Sequence, residues 1–335
     1  MKSEIISFGN APTILSRATV VGKKEFEGPL GALFDCHDDT DTFGKSTWEQ
    51  SESEMQRLAL SLAIRKANLK NSDIDAVFAG DLINQCTGSA YGLISFGIPY
   101  FGLYGACSTA AEGLILASLA LNAGAFDRVA VVTSSHNCSA ERQFRYPIEY
   151  GGQRTPTAQW TVTGSAAFLL GSDRGAAYIT EAMPGRSVDL GIDDAANMGA
   201  AMAPAAVDTL TRYFKASGKK PSDFDMIVTG DLGYEGHAIV LDLMKKQGID
   251  LSSNYTDCGL LIYDRKKQDM HAGGSGCACS ATVLAALLLD RFERGELHDI
   301  LWMGTGALMS PMSVQQGLSI PGICHLVRIT KERML

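Results

Sequence analysis

The segment Ser72-Asp73-Ile74-Asp75-Ala76-Val77-Phe78-Ala79-Gly80-Asp81-Leu82 returns 150 residues later as Ser222-Asp223-Phe224-Asp225-Met226-Ile227-Val228-Thr229-Gly230-Asp231-Leu232, with six of eleven positions identical. Each copy reads as a short buried strand ending in a glycine-aspartate turn. The flanks match as well. Ser51–Asn68 and Ala201–Ser217 place apolar residues at helical spacing, with Met55, Leu58, Leu62 and Ile64 in one and Val207, Leu210 and Phe214 in the other. Downstream, Gly105-Ala106-Cys107-Ser108-Thr109 opens an alanine- and leucine-rich helix that is followed by the strand Arg128–Thr133. Cys277-Ala278-Cys279-Ser280-Ala281 opens its counterpart, which leads to the strand Asp299–Met303. A repeat of this order restricts the chain to two similar α/β halves.

Helices with such broad apolar coverage must be buried on more than one side, so the halves are expected to pack helix against helix into one body. The reading divides the chain into 1–180 and 181–335, with glycine-rich Ala182–Gly199 as the crossover. Phe168–Leu170, within Trp160–Gly171, and Ile323–Ile329 are the closing strands.

With 46% apolar and 20% charged residues, 335 residues can bury a large core. A net charge of −8 without a basic run excludes non-specific nucleic-acid binding. The opening residues lack an apolar signal core, and apolar stretches such as Ala281–Leu289 are far shorter than the roughly 20 residues of a membrane helix. The expectation is a soluble or peripheral protein without signal peptide or transmembrane segment. Eight cysteines without regular spacing fit a reducing compartment, and Cys277-Ala278-Cys279 reads as packed thiols rather than a metal site.

Cys107 follows the apolar segment Ile98–Leu103 and precedes a helix, so it sits at a strand-to-helix elbow where backbone N–H groups favour negative charge. In this the chain resembles the thiolase and ketoacyl-synthase superfamily over essentially its whole length. That resemblance implies a layered α-β-α-β-α fold and places Cys107 at the nucleophile position. It also implies a histidine, with an asparagine or second histidine, in loops of the second half. Here Gly230-Asp231-Leu232-Gly233 follows the strand Met226–Thr229, and Ser275 stands in the glycine-rich loop. An ionised aspartate accepts hydrogen bonds and cannot donate to an enolate oxygen, so the expected product of this sequence is a non-enzyme. The rival is an acyltransferase in which His136 or His271 serves Cys107.

A narrower resemblance rests on Gly80–Gln85, Gly105–Thr109, Ser134–Asn137, Ala140–Pro147, Glu149–Gln153, Met202–Ala206 and Gly273–Ser280, together with Glu27–Gly31 and Phe34-Asp35. These strings are similar to those of the stage V sporulation protein AD family. The resemblance implies binding of dipicolinic acid, pyridine-2,6-dicarboxylate, or its calcium chelate. It further implies a peripheral subunit, on the forespore or spore inner membrane, of the channel that loads and releases this acid, with other membrane subunits of that channel as partners. No cofactor is expected, and calcium enters only as the chelate.

A flat aromatic dianion needs donors at both ends and an apolar face between them. The candidates are backbone N–H groups near Cys107 and Ser108, with Asn84, Gln85, His136, Asn137 and Ser275 on neighbouring loops. Arg142 and Arg145 flank Phe144 and offer guanidinium forks. Asp81 is expected to face the pocket and complete the coordination of chelated calcium. A homodimer is expected as in thiolase relatives, with Arg128–Thr133 as the apolar edge strand.

Overall fold

The computed structural model describes residues 4–144, 154–173 and 175–333. Its strands, in chain order, are β1 (Ile6–Ser7), β2 (Thr13–Gly22), β3 (Cys36–Asp38), β4 (Ala76–Gly80), β5 (Tyr100–Gly102), β6 (Arg128–Ser135), β7 (Trp160–Thr161), β8 (Gly164–Gly171), β9 (Tyr178–Met183), β10 (Met226–Thr229), β11 (Tyr255–Asp257), β12 (Gly274–Ser275), β13 (Asp299–Ala307) and β14 (Gly322–Thr330).

The repeat becomes two sheets whose five main strands follow the same order, with β3 added beside β2 in one and β1 beside β9 in the other. One runs β5-β4-β6-β8-β2 and the other β11-β10-β13-β14-β9, and a single residue pair, Thr13 with Tyr178, joins them. In each sheet the first strands are parallel and the closing strand, β8 or β14, is antiparallel. The repeated aspartates explain their own identity. Asp75 Oδ2 accepts from the N–H groups of Asp127 and Arg128, and Asp225 Oδ2 accepts from those of His298 and Asp299, so each fastens the start of its neighbouring strand. Asp73 and Asp223 accept from the backbone N–H of Lys70 and Lys220 and cap equivalent turns.

Apolar cores fill the spaces between five layers. The Trp48–Lys66 helix, capped by the Thr47 side chain, lays Met55, Ala59, Leu60 and Ala63 on the outer face of the first sheet. The Met198–Ser217 helix lays Met202, Ala206 and Leu210 on the outer face of the second. Between the sheets lie the Thr109–Asn122 helix and the helical run Cys277–Val283, Leu284–Leu288 and Leu289–Glu293, whose Ala110, Leu114, Ala281, Leu288 and Phe292 are buried. This is a duplicated, layered α/β fold.

Two expectations change. Arg128–Thr133 is not an edge: β6 lies between β4 and β8 and is paired on both sides, which is why its Val129–Val132 stretch is apolar on both faces. The edge of the first sheet is β5, whose Tyr100 and Phe101 are exposed. A division at residue 180 cuts through β9, a strand of the second sheet, so the passage between halves precedes Tyr178 and Ala182–Gly199 leads instead from β9 to an outer helix.

Because the middle helices bury faces against both sheets, fragments 1–176 and 177–335 expressed separately should lack a cooperative thermal transition, while the intact chain melts as one unit. Calorimetry of each fragment is the check, and a sharp transition in either alone would contradict the shared core.

Candidate functional site

Cys107 sits at the N-terminal end of the first middle helix, in a turn that the surrounding glycines make possible. Ala106 takes a left-handed backbone, φ 49°, and Ser108 N–H returns to Gly105 C=O at 3.0 Å. The turn presses against β13 where that strand has Gly304 and Gly306. A Cβ on Gly306 would lie 2.6 Å from the Gly105 carbonyl oxygen, and one on Gly304 would lie 2.7 Å from the Ala111 Cβ. Removing two side chains from β13 thus seats the elbow against the second sheet.

The second half supplies Asp231 and Ser275. Both are buried, and Ser275 Oγ lies 4.0 Å from Cys107 Sγ. Asp231 Oδ2 accepts from Ser275 Oγ at 3.1 Å and Gly276 N–H at 2.9 Å, while Oδ1 accepts from Thr305 Oγ1 at 2.7 Å. Burial pushes the Cys107 thiol well above its ordinary range, and the Asp231 charge adds to the shift. Burial raises Asp231 as well, but its three donors favour the ionised form. A carboxylate beside a buried thiol suppresses the thiolate that a nucleophile requires.

Cys107 opens onto a cavity of about 40 Å³. Cys107, Thr161 and Ser275 give it polar atoms, Leu82, Tyr104, Phe144, Met198 and Met309 form apolar walls, and Glu141 is the charged residue among its described lining. No lysine or arginine lines it among the described residues.

The other candidates lie elsewhere. Asp81, expected to face the pocket, is instead buried beneath the following loop: Oδ1 accepts from Ile83 N–H at 3.0 Å, and Oδ2 accepts from the N–H and hydroxyl of Ser89, both at 2.8 Å. Its oxygens are engaged in holding the chain, so the calcium role is replaced by a structural one. Asn84 and Gln85 are exposed on the outer surface of that loop. Ser108 turns its hydroxyl back to Gly105 C=O at 2.6 Å, and the N–H groups of Ser108 and Thr109 are bonded within the turn, so neither is offered to an anion. His136 is buried with Nδ1 accepting from Cys138 N–H and Nε2–H donating to Asp41 C=O at 2.9 Å, which fixes a neutral ring. Burial lowers its pKa in the same direction. His271 bonds Thr155 C=O and Asp269, away from the thiol. Asn137 donates its backbone N–H to Thr163 and does not line the cavity. Arg142 pairs with Glu49 on the surface. Arg145 lies outside the described residues. Of the nine candidates among the described residues, Cys107 and Ser275 are brought together.

Sequence reasoning missed the apolar walls and Glu52. Glu52 and Gln56 share the buried stripe of Met55, Ala59, Leu60 and Ala63, and polar residues inside such a stripe were a readable sign of an internal network. Gln56 Nε2 bonds Gly80 C=O and Ser134, and Glu52 bonds Ser134 and Ser139.

A duplicated layered fold with a cysteine elbow at the start of a middle helix defines a thiolase-like protein. Solved structures agree on the fold: OleA from Xanthomonas campestris superposes with a TM-score of 0.61 at 16% identity, covering 97% of this chain and 99% of that one. The 3-oxoacyl-[acyl-carrier-protein] synthase III of Aquifex aeolicus gives 0.54 at 14% identity, covering 94% and 99%. Residues 2–330 match the family described as stage V sporulation protein AD. The chain is 44% identical over 310 residues to Stage V sporulation protein AD of Bacillus subtilis (strain 168), covering 92% of this chain and 91% of that protein. The chain belongs to the stage V sporulation protein AD family, and its role is related to sporulation. Among the described residues no helix is long and apolar enough to cross a membrane.

Neutralising Asp231 should unmask the thiol. Asp231→Asn is expected to raise the iodoacetamide alkylation rate of Cys107 by about tenfold or more at mildly alkaline pH, a pKa effect of about one unit. Peptide mass spectrometry reads the rate, and an unchanged rate would show that burial alone silences the cysteine.

Proposed function

We propose that the chain is a non-catalytic binding subunit that holds dipicolinate as its calcium chelate in the Cys107 cavity, within the spore channel that moves this acid. The observation that carries the non-catalytic reading is the buried Asp231 carboxylate beside Cys107, where an acyl-transfer enzyme needs a proton donor for the developing oxyanion. Family membership supports the ligand, and the charges of the cavity support its form. A bare dianion entering a pocket with the buried Asp231 carboxylate beneath it meets like charge, and no lysine or arginine is among the described lining residues. The chelate carries no net charge, and its flat ring suits walls of Leu82, Tyr104 and Phe144.

At about 40 Å³ the cavity is far below the ~300 Å³ of ordinary ligand sites, so loading requires a wall to move. The Asn137–Phe144 helix and the methionines Met198 and Met309 form the adaptable side. Peripheral attachment to the spore inner membrane and contact with the channel's membrane subunits belong to the same reading. Its homodimer would form through β5, where Tyr100 and Phe101 stand exposed beside unpaired backbone.

Calorimetric titration should give micromolar binding of dipicolinate with calcium, about tenfold or more weakening without it, and no acyl adduct on Cys107 after incubation with acyl thioesters. Equal affinity for free acid and chelate would remove the charge argument. A stable acyl-thioester in the intact mass would establish the enzyme instead.

A further inference from the structure

We propose that the buried acids Glu52 and Asp81 together hold a single proton, carried by Glu52, that positions the two walls of the Cys107 cavity, keeping them together while it is bound and letting them part when it leaves. That the cavity is the ligand site rests on the function proposed above; the device itself rests on geometry.

Both carboxyl groups are buried, and both side chains pack against Gly88. A Cβ built there would lie 3.2 Å from Asp81 Oδ2 and 3.2 Å from Glu52 Cγ. Each holds a different wall. Asp81 accepts from Ile83 N–H and from Ser89, which fixes the loop bearing Leu82. Glu52 meets Ser134 Oγ at 2.9 Å and Ser139 Oγ at 2.8 Å, and Ser139 belongs to the helix whose Ala140, Glu141 and Phe144 face the cavity. Gln143 of that helix then bridges the walls directly, donating to Leu82 C=O at 3.3 Å and accepting from Asn84 N–H at 3.0 Å.

Among the described residues no positive charge balances the pair. The titratable groups around it are Cys86, Tyr100, Tyr104 and Cys277, all neutral when protonated. Glu112 adds another acid on the Cys86 side. His136 is held neutral with its ring on Asp41, and Arg142 is paired outside with Glu49. The proton belongs on Glu52. Asp81 accepts from two backbone N–H groups, which cannot reverse, whereas the partners of Glu52 are hydroxyls. A protonated Glu52 Oε2 donates to Ser139 Oγ, which in turn donates to His136 C=O at 3.1 Å. Burial, and then the Asp81 charge, hold the Glu52 carboxyl protonated above the usual range.

Losing that proton places two like charges in a water-poor interior, and displacement of the Ser139 helix relieves them. The sign follows from linkage. A carboxyl raised in the closed state stabilises that state fully below its ordinary pKa, and the contribution is lost as pH rises through the raised value. The cavity therefore opens on the alkaline side.

Hydrogen exchange on the ligand-free full chain tests this independently of any ligand. After correction for intrinsic exchange, protection at 82–89 and 137–144 should fall by about tenfold between about pH 6 and about pH 9 in the wild type, relative to the rest of the chain. Glu52→Gln, which mimics the protonated acid, should keep it level. In parallel, infrared spectroscopy of the wild type should show a buried carboxylic-acid carbonyl band that disappears over the pH range in which protection falls. The same pH course in wild type and Glu52→Gln would overturn the proposal. So would loss of the band without loss of protection, a result readable even if the variant fails to fold. Failure of dipicolinate binding would leave these outcomes untouched.

Discussion

Two helices that bury faces against both sheets set the rest of the molecule. The Thr109–Asn122 helix and the run from Cys277 to Glu293 must each find apolar surface on several sides, and two sheets stacked around them provide it. Once they are placed there, both helix N-termini arrive at the same internal level. Cys107, Ser275 and Asp231 then meet although they lie in different halves. The glycines of β13 take up the remaining space, since larger side chains at Gly304 and Gly306 would push the elbow away. The site is thus a consequence of how the core closes.

Within that frame, the sign of one buried charge decides the chemistry. A donor beside the elbow would stabilise an oxyanion, whereas Asp231 raises the thiol and occupies Ser275. The residual cavity is small, apolar and lacking a basic residue in its described lining. On the function proposed above, such a space takes a ligand without net charge and requires a moving wall. The acidic pair of Glu52 and Asp81 lies where the Leu82 loop and the Asn137–Phe144 helix are fastened, so admission and fastening share residues.

The fold was largely legible because the repeat is carried by residues with structural duties. Asp75 and Asp225 recur because each satisfies two backbone N–H groups at an equivalent strand start. The edge strand was misjudged for a physical reason: a fully paired inner strand and an exposed apolar edge share the same run of Val and Ala, and only pairing separates them. Asp81, Asn137 and His136 were read as pocket groups because they follow strand ends. Where a side chain points after a turn depends on which backbone donors it meets, and here those donors were local. Glu52 announced itself on a buried stripe, but its partners Ser134 and Ser139 are 82 and 87 residues away.

By itself the sequence determined the two halves, the elbow cysteine and the family, since periodicity, repeat and motif are local properties of the chain. Tertiary structure decided which of these residues share a cavity, how large it is and what charge surrounds it. Distance and burial set the energy of a carboxylate or a thiol, and both arise only when the two halves close on their common helices.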